Sequence, residues 1–278
     1  MVCLVFTVEC NSVLTLQKRH DTDSHKGKNH HSELVRPDIL LNHSFVAPHY
    51  SCTPVKIIVM LSIQSFTFNP FQENTYVLFD ETGESIIIDP GMSDVHEQQQ
   101  FMEFIRSENL KPVKLLNTHC HIDHILGNDF VAKKFSLPLE AHSIETVNLN
   151  RAEQAAMLFG VNYIASPPIG KFIGEGDTIK FGNSKLEIVF VPGHSPGHLA
   201  FISHDEKVVI GGDVLFLNSV GRVDLPGCNA NDLLKSIREK FYTLPDDYIV
   251  YPGHGPETTI GYEKENNYFV KTASQQLI

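Results

Sequence analysis

The segment THCHIDH, residues Thr118–His124, decides how the rest of this chain is interpreted. It follows an apolar run, Val113–Asn117, that predicts a buried strand, and it places three imidazoles and one carboxylate within six residues. Imidazole nitrogens and carboxylate oxygens suit zinc and other first-row divalent ions. A catalytic zinc ion usually has three protein ligands and one open position. Four candidate ligands exceed that number, so the segment predicts two adjacent metal ions.

Further metal-capable residues follow three other predicted strands, each on a turn rich in glycine or proline. These turns are PGHSPGH (192–198), GGD (211–213) and PGHGP (252–256). Glycine permits close backbone approach, and a strand end holds a ligand rigidly. Four turns thus supply the seven ligands that a two-metal hydrolytic site needs, namely His119, His121, Asp123, His124, His194, Asp213 and His254.

Regular patterning begins near Met60. Residues 1–59 hold six histidines and three of the five cysteines, without sustained helical or strand periodicity. We interpret residues 1–59 as a disordered or non-native N-terminal extension and residues 60–278 as one domain, which is a common domain size.

Strands come first and helices follow, in two successive halves of residues 60–278. This order of elements predicts an α+β fold, an α/β/β/α sandwich in which two sheets pack face to face with helices outside. We expect one amphipathic helix at Ser93–Asn109, with Val95, Phe101 and Ile105 on its apolar side. The other predicted helices are Ile125–Phe135, Ile144–Phe159, Asn231–Phe241 and Tyr262–Lys271.

Composition narrows the class of partner. The formal net charge is −11 and no run of lysine and arginine occurs, which argues against nucleic acid. No apolar stretch reaches the roughly 20 residues that span a bilayer, so we expect no membrane. The five cysteines form no C-x-x-C pair, which favours a reducing compartment and predicts a cytoplasmic protein. The expected partner is a small molecule, and the oligomeric state stays open.

Taken together, the four ligand turns resemble the metallo-β-lactamase superfamily over residues 62–270. The resemblance is sharper for the glyoxalase II-like branch, because of FNPFQENTYVLFD (68–80), IIIDPG (86–91), GRVDLPG (221–227) and YPGHGPETTIGYEKENNYF (251–269). It implies that His119, His121 and His194 bind the first metal, that Asp123, His124 and His254 bind the second, and that Asp213 bridges both. Asp89 would orient a ligating imidazole.

The resemblance also implies an activity, the hydrolysis of a small thioester of the hydroxyacylglutathione type. A hydroxide that bridges two divalent metal ions would attack the carbonyl, and Asp123 would orient that hydroxide as the catalytic carboxylate. Zinc is the first choice of metal, with iron or manganese as alternatives. Only 24 residues follow His254, too few for a helical domain with basic residues, so a short form is expected.

Several alternatives share these ligands. A persulfide dioxygenase would hold one iron, a lactonase or other ester hydrolase would differ only in its pocket, and a β-lactamase matches the loops less well. A non-catalytic metal-binding protein is disfavoured because structural zinc sites are closed and four-coordinate. For Arg222 both a substrate contact and an ion pair with Asp224 are open, and for His198 both a hydrogen bond to the site and plain packing. Cys120 and Cys228 are interpreted as bystanders.

Overall fold

Six strands form the first sheet, and they come from the first half of the chain. The computed structural model describes residues 61–272, so the interpretation of residues 1–59 lies outside the described residues and stays a prediction. The strands lie side by side in sequence order: β1 (Ser62–Phe68), β2 (Glu73–Phe79), β3 (Glu84–Ile88), β4 (Lys111–Leu116), β5 (Leu139–Ala141) and β6 (Ile169–Phe172). The first three are antiparallel, and β3 to β6 are parallel.

The second sheet also has six strands, with a small hairpin between two of them in sequence. Its strands are β7 (Thr178–Phe181), β8 (Ser184–Phe190), β9 (Leu199–Ser203), β10 (Val208–Gly212), β13 (Ile249–Pro252) and β14 (Thr258–Thr259). The hairpin consists of β11 (Leu215–Phe216) and β12 (Ser219–Val220). The order in the sheet is β14-β13-β10-β9-β8-β7, and only β10 and β13 are parallel neighbours.

Helices connect and cover the strands. They are α1 (Val95–Ser107), α2 (Ile122–Ile125), α3 (Asn128–Phe135), α4 (Thr146–Phe159), α5 (Ala230–Ser236), α6 (Ile260–Asn266) and α7 (Tyr268–Thr272). A single 3₁₀ turn, Ser143–Glu145, precedes α4, and a π-helical turn, Ile237–Phe241, continues α5. Within residues 61–272, no helix has the length and apolar character required to cross a bilayer.

Alternating side chains produce the four layers. On β2, Tyr76 and Leu78 join a core that also contains Phe201 of β9, so this core lies between the two sheets. Val77 of β2 points the other way and packs in a cluster with Phe101 of α1. The second sheet repeats the pattern, and its outer face packs against α5 and α6. The period of two along each strand therefore builds the predicted α/β/β/α sandwich.

The sequence-based elements differ from the structure in several places, and the two-residue strands β11, β12 and β14 were not predicted. Val95 was expected on the apolar side of α1, but it is 66% exposed, because six residues to Phe101 are about one and two-thirds turns. The predicted helix 125–135 is divided into α2 and α3, and the predicted helix 262–271 into α6 and α7. Strand β6 was not predicted, since its mostly exposed residues lie at a sheet edge and show no apolar alternation.

One buried carboxylate, Asp80, joins a turn of the first sheet to a turn of the second. Its Oδ1 accepts hydrogen bonds from the backbone and hydroxyl of Thr82, at 3.0 and 2.5 Å. Its Oδ2 accepts from the backbone of Asn183 at 2.7 Å and from the hydroxyl of Ser184 at 2.9 Å. Burial raises the pKa of Asp80, but these hydrogen bonds outweigh it and lower the pKa below its ordinary value.

Replacing Asp80 by alanine should lower the free energy of unfolding by about 2 to 3 kcal/mol, because several hydrogen bonds to a charged acceptor are lost. A lowered folded-state pKa stabilises the fold above the unfolded value, so the difference between Asp80→Ala and wild type should shrink as pH falls below about 4. Urea unfolding at several pH values measures this. Asp205→Ala, an exposed turn aspartate, serves as the control. Equal effects of the two variants would contradict the prediction.

Candidate metal centre

All seven predicted ligands lie together, at the edge where four strands end. The first four follow β4, and one each follows β8, β10 and β13. The two sheets contribute to the same cluster because their strand ends meet along this edge. The residues brought together are His119, His121, Asp123, His124, His194, Asp213 and His254.

One group of donors consists of histidines alone. Ring nitrogens of His119, His121 and His194 lie within 4.8 Å of one another. His121 Nδ1 and His194 Nε2 are 2.9 Å apart. His194 donates through Nδ1 to the carbonyl oxygen of Arg222 at 2.8 Å, because a carbonyl can only accept. In neutral His194 the lone pair is therefore on Nε2, which faces the other two imidazoles.

The second group contains Asp123, His124 and His254, again with ligand atoms within 4.8 Å of one another. Oδ2 of Asp123 lies 3.1 Å from Nε2 of His254 and 3.7 Å from Nε2 of His124. His254 donates through Nδ1 to the carbonyl oxygen of Phe71 at 3.1 Å. Both imidazoles thus present Nε2 to the same carboxylate.

Asp213 lies between the two groups. Its Oδ2 is 3.3 Å from Nε2 of His194 and 3.6 Å from Nε2 of His254. Its Oδ1 is 3.5 Å from Nε2 of His124. One carboxylate thus contacts histidines of both groups, as a bridging ligand must.

Asp89 holds the predicted ligand His124 in place through a hydrogen bond. It directly follows β3 with φ of 50°, a left-handed conformation that aspartate adopts more readily than most residues. Its Oδ1 accepts from the backbone of Thr118 at 2.7 Å, and its Oδ2 accepts from the Thr118 hydroxyl at 2.6 Å and from His124 Nδ1 at 3.1 Å. The contact expected between Asp89 and an imidazole is therefore present, and it turns Nε2 of His124 toward the cluster.

The electrostatics divide the cluster into neutral and charged positions. Burial, with the neighbouring His194, lowers the pKa of His121 to about 3. Burial would also lower the pKa of His124, but Asp123 and Asp213 raise it well above its ordinary value. Burial would raise the pKa of Asp213, but the surrounding imidazoles, above all His124, hold it below its ordinary value. Positive charge is therefore favoured between these carboxylates.

The donor set fits divalent metal ions. Nε2 of His119, Nε2 of His124 and Oδ1 of Asp213 are buried and have no hydrogen-bond partner. An unsatisfied buried polar atom costs about 1 to 3 kcal/mol, so three in one cluster are expected only where another ligand uses their lone pairs. Five imidazoles and two carboxylates match the preference of zinc, iron and manganese.

Comparison with known proteins assigns the family. A family model described as the metallo-β-lactamase superfamily matches residues 68–254. The chain belongs to the metallo-β-lactamase superfamily. The fold of this superfamily implies that divalent metal ions bind, and relatives described as metallo-hydrolases support a metal-dependent hydrolase. The predicted family and fold are confirmed.

Similar members of the superfamily carry different descriptions. The chain is 38% identical to the probable metallo-hydrolase YqgX of Bacillus subtilis, with 72% of this chain and 93% of YqgX covered. It is 34% identical to the hydroxyacylglutathione hydrolase GloC of Haemophilus influenzae, with 77% of this chain and 100% of GloC covered.

Solved structures of the superfamily agree with this fold. The B3 metallo-β-lactamase BLEG-1 is 34% identical, with a TM-score of 0.70 over 75% of this chain and 99% of that one. TTHA1623, solved in a di-iron-bound form, is also 34% identical, with a TM-score of 0.68 over 74% of this chain and 99% of that one.

In this member of the superfamily, the cluster opens into a cavity of about 570 Å³. Helix α4 forms one wall, with Ala152, Ala155 and Leu158. The hairpin β11–β12 and the GRVDLPG loop contribute the opposite wall, which includes Phe216 and Leu225. A substrate at the metal centre would therefore lie between two mainly apolar surfaces.

The residues that the motifs left open take defined positions. His198 is buried, and its Nε2 accepts a hydrogen bond from the backbone of Asp213 at 3.0 Å. Arg222 forms a bidentate ion pair with Asp224, at 2.7 and 2.8 Å, and also lines the cavity. Cys120 is buried between two ligands, and burial raises the pKa of its thiol.

The sequence patterns did not single out several residues near the cluster, among them Glu145 and Arg151. Glu145 is buried beside the first and second ligand turns, and Arg151 lines the cavity from α4. Both lie in a segment that reads as an ordinary helix with charged residues, so no spacing signal distinguishes them.

Proposed function

We propose that this protein hydrolyses small thioesters of the hydroxyacylglutathione type at a centre that holds two divalent metal ions, zinc by preference. The observation that carries the proposal is the position of Asp213, which contacts histidines of both donor groups. A structural metal site has no need of a second, linked donor group beside a cavity. The relative GloC, which is described as such a hydrolase, supports the choice of substrate.

The seven clustered residues would act as ligands of the two metal ions. His119, His121 and His194 would hold one metal ion, Asp123, His124 and His254 the other, and Asp213 would contact both. When bound, two such ions supply Lewis-acid activation of a carbonyl and acidification of a water molecule.

The side chain of Asp123 is 16% exposed and lines the cavity, so it can orient a water molecule toward a bound carbonyl. The neighbouring His124 and a hydrogen bond from His254 hold the pKa of Asp123 below its ordinary value, although burial opposes them. Its carboxylate is therefore available as an acceptor at neutral pH.

The cavity suits a substrate with an apolar acyl part and an anionic part. Among the residues 61–272, Arg151 has no ion-pair partner, whereas Arg222 is held by Asp224. Arg151 is exposed and lines the cavity, which leaves its charge free for a carboxylate such as those of glutathione.

A substrate panel tests the proposed function. We expect zinc-loaded protein to hydrolyse S-D-lactoylglutathione faster than a lactone, a β-lactam or p-nitrophenyl acetate, without taking up oxygen in the presence of glutathione persulfide. Faster turnover of the lactone or the β-lactam would refute the thioester proposal. Oxygen uptake by protein that contains one iron per chain would point to the persulfide dioxygenase instead.

The variant Arg151→Gln should raise KM for S-D-lactoylglutathione about fivefold, because an exposed charge pair contributes up to roughly 1 kcal/mol. Its kcat should stay close to that of wild type, since Arg151 lies on the cavity wall and away from the donor groups. Hydrolysis of p-nitrophenyl acetate, which carries no charge, is the matched control and should not change. An equal loss of activity on both substrates would show that Arg151 does not bind the anionic group of the substrate.

A further inference from the structure

Glu145 is a fully buried carboxylate that no part of the ligand pattern includes. It ends the 3₁₀ turn Ser143–Glu145 between β5 and α4, and none of its surface is exposed. No lysine, arginine or histidine in the described part of the chain forms an ion pair with it. Burying such a group is costly unless donors surround it, so its partners indicate what it does.

Four hydrogen bonds satisfy this carboxylate. Oε2 accepts from the backbone of Cys120 at 2.7 Å and from Nδ2 of Asn148 at 2.9 Å. Oε1 accepts from the hydroxyl of Ser195 at 2.5 Å and from the backbone of Gly197 at 2.8 Å. Nδ2 of Asn148 also donates to Oγ of Ser195 at 2.8 Å, which closes the network.

Three of the four partners, Cys120, Ser195 and Gly197, belong to the two segments that carry the all-histidine group, and Asn148 belongs to α4. Cys120 lies between His119 and His121, after a strand of the first sheet, and Ser195 follows His194, after a strand of the second sheet. One carboxylate therefore ties together chain segments from both sheets. None of its four bonds reaches the segments of Asp213 or His254.

The second ligand turn is shaped to accept this contact. A Cβ atom added to Gly197 would lie 2.7 Å from Oε1 of Glu145 and 2.9 Å from its Cγ, closer than real Cβ atoms come. Only glycine lets the backbone of the PGHSPGH turn approach the carboxylate to hydrogen-bond distance. The sequence of the turn and the position of the carboxylate are thus matched.

We propose that Glu145 is a positioning residue that holds His121 and His194 at metal-binding distance and so sets the affinity of the all-histidine group. It acts through Cys120, Ser195 and Gly197 and leaves the group of Asp123, His124 and His254 unaffected. This inference rests on the metal-binding part of the proposed function and not on its substrate.

The test measures metal affinity in the variant Glu145→Gln. The amide nitrogen of glutamine cannot accept, so it would face two donors that now share one carboxylate oxygen. Co²⁺ is the probe, and competition with a chelator measures its affinity. The affinity for one of the two ions should fall about 10- to 100-fold, which is the usual loss when a hydrogen-bond partner of a metal ligand is mutated. The other affinity should change less than about threefold on the same scale. The visible absorption spectrum of Co²⁺ in the weakened group should change as well.

Glu263→Gln is the matched control. Glu263 is also fully buried, and its carboxylate accepts from the backbone of Asn218, the hydroxyl of Thr258 and Nδ2 of Asn267, none of which is part of a ligand turn. A purely structural role predicts similar results for the two glutamines, with reduced thermal stability and unchanged metal affinities. We expect Glu263→Gln to leave both Co²⁺ affinities unchanged.

Two further variants assign the weakened ion to its group, since His194→Ala should abolish one Co²⁺ site and His254→Ala the other. Equal weakening of both ions in Glu145→Gln, or no weakening, would overturn the proposal. If Glu145→Gln does not fold, Ser195→Ala removes a single arm of the network and should weaken the same ion by a smaller factor. Wild-type protein that binds two ions but cleaves no thioester would refute only the proposed substrate.

Discussion

The variant Asp213→Asn should lose thioester hydrolysis by about 100- to 1,000-fold, the scale seen when one preorganised electrostatic group is removed from an active site. The loss should appear in kcat, with at least one metal ion per chain lost from the purified protein. The reason is that Asp213 alone, among the seven clustered residues, contacts histidines of both donor groups through its two oxygens. An amide has one acceptor oxygen and no negative charge, so it cannot keep all three contacts and binds metal ions more weakly than the carboxylate.

Asp247→Asn controls for the chemical change in this experiment. Asp247 is exposed and pairs with Lys207 on the surface, away from the cavity. Its loss should leave kcat and metal content near the wild-type values, because exposed ion pairs contribute little. Full metal content and full activity in Asp213→Asn would mean that the two groups work independently of this carboxylate.

The second large effect should follow removal of the metal ions. Chelation should abolish hydrolysis, and added Zn²⁺ should restore it. Each site that is saturated about 100-fold above its dissociation constant should add about 2.7 kcal/mol to the free energy of unfolding. Nε2 of His119, Nε2 of His124 and Oδ1 of Asp213 are buried and have no hydrogen-bond partner, and metal ions would satisfy them, so binding should stabilise the fold.

Thermal unfolding with and without chelator measures this difference. The variant Asp213→Asn should show a smaller shift than wild type, since it binds fewer ions. If the chelator changed neither the melting temperature nor the activity, the centre would not depend on metal ions.

The fold and the ligand cluster could be predicted because their signals are local. Alternation along short apolar runs placed most strands, and ligands on glycine- and proline-rich turns marked strand ends. In a layered fold, the turns that follow neighbouring strands lie along one edge of the sheets. Four turns that are separate in sequence could therefore be assigned to one cluster. Distances as short as that between His121 and His194 nevertheless depend on how two sheets pack, which no turn encodes.

What the sequence did not reveal depends on contacts between distant segments. Glu145 lies 25 residues from Cys120 and 52 from Gly197, and its burial follows from tertiary packing alone. Strand β6 exists because β5 offers it a parallel edge, although its own residues are mostly exposed. Val95 was misplaced because an apolar residue at the first turn of a helix was counted with the buried face.

Elemental analysis against protein concentration should count the metal ions per chain in full-length protein purified without added metal. We expect two divalent ions per chain, and one fewer in both His194→Ala and His254→Ala. A wild-type content of one ion that survives in His254→Ala and disappears in His194→Ala would contradict a two-metal centre and leave the all-histidine group as the sole site.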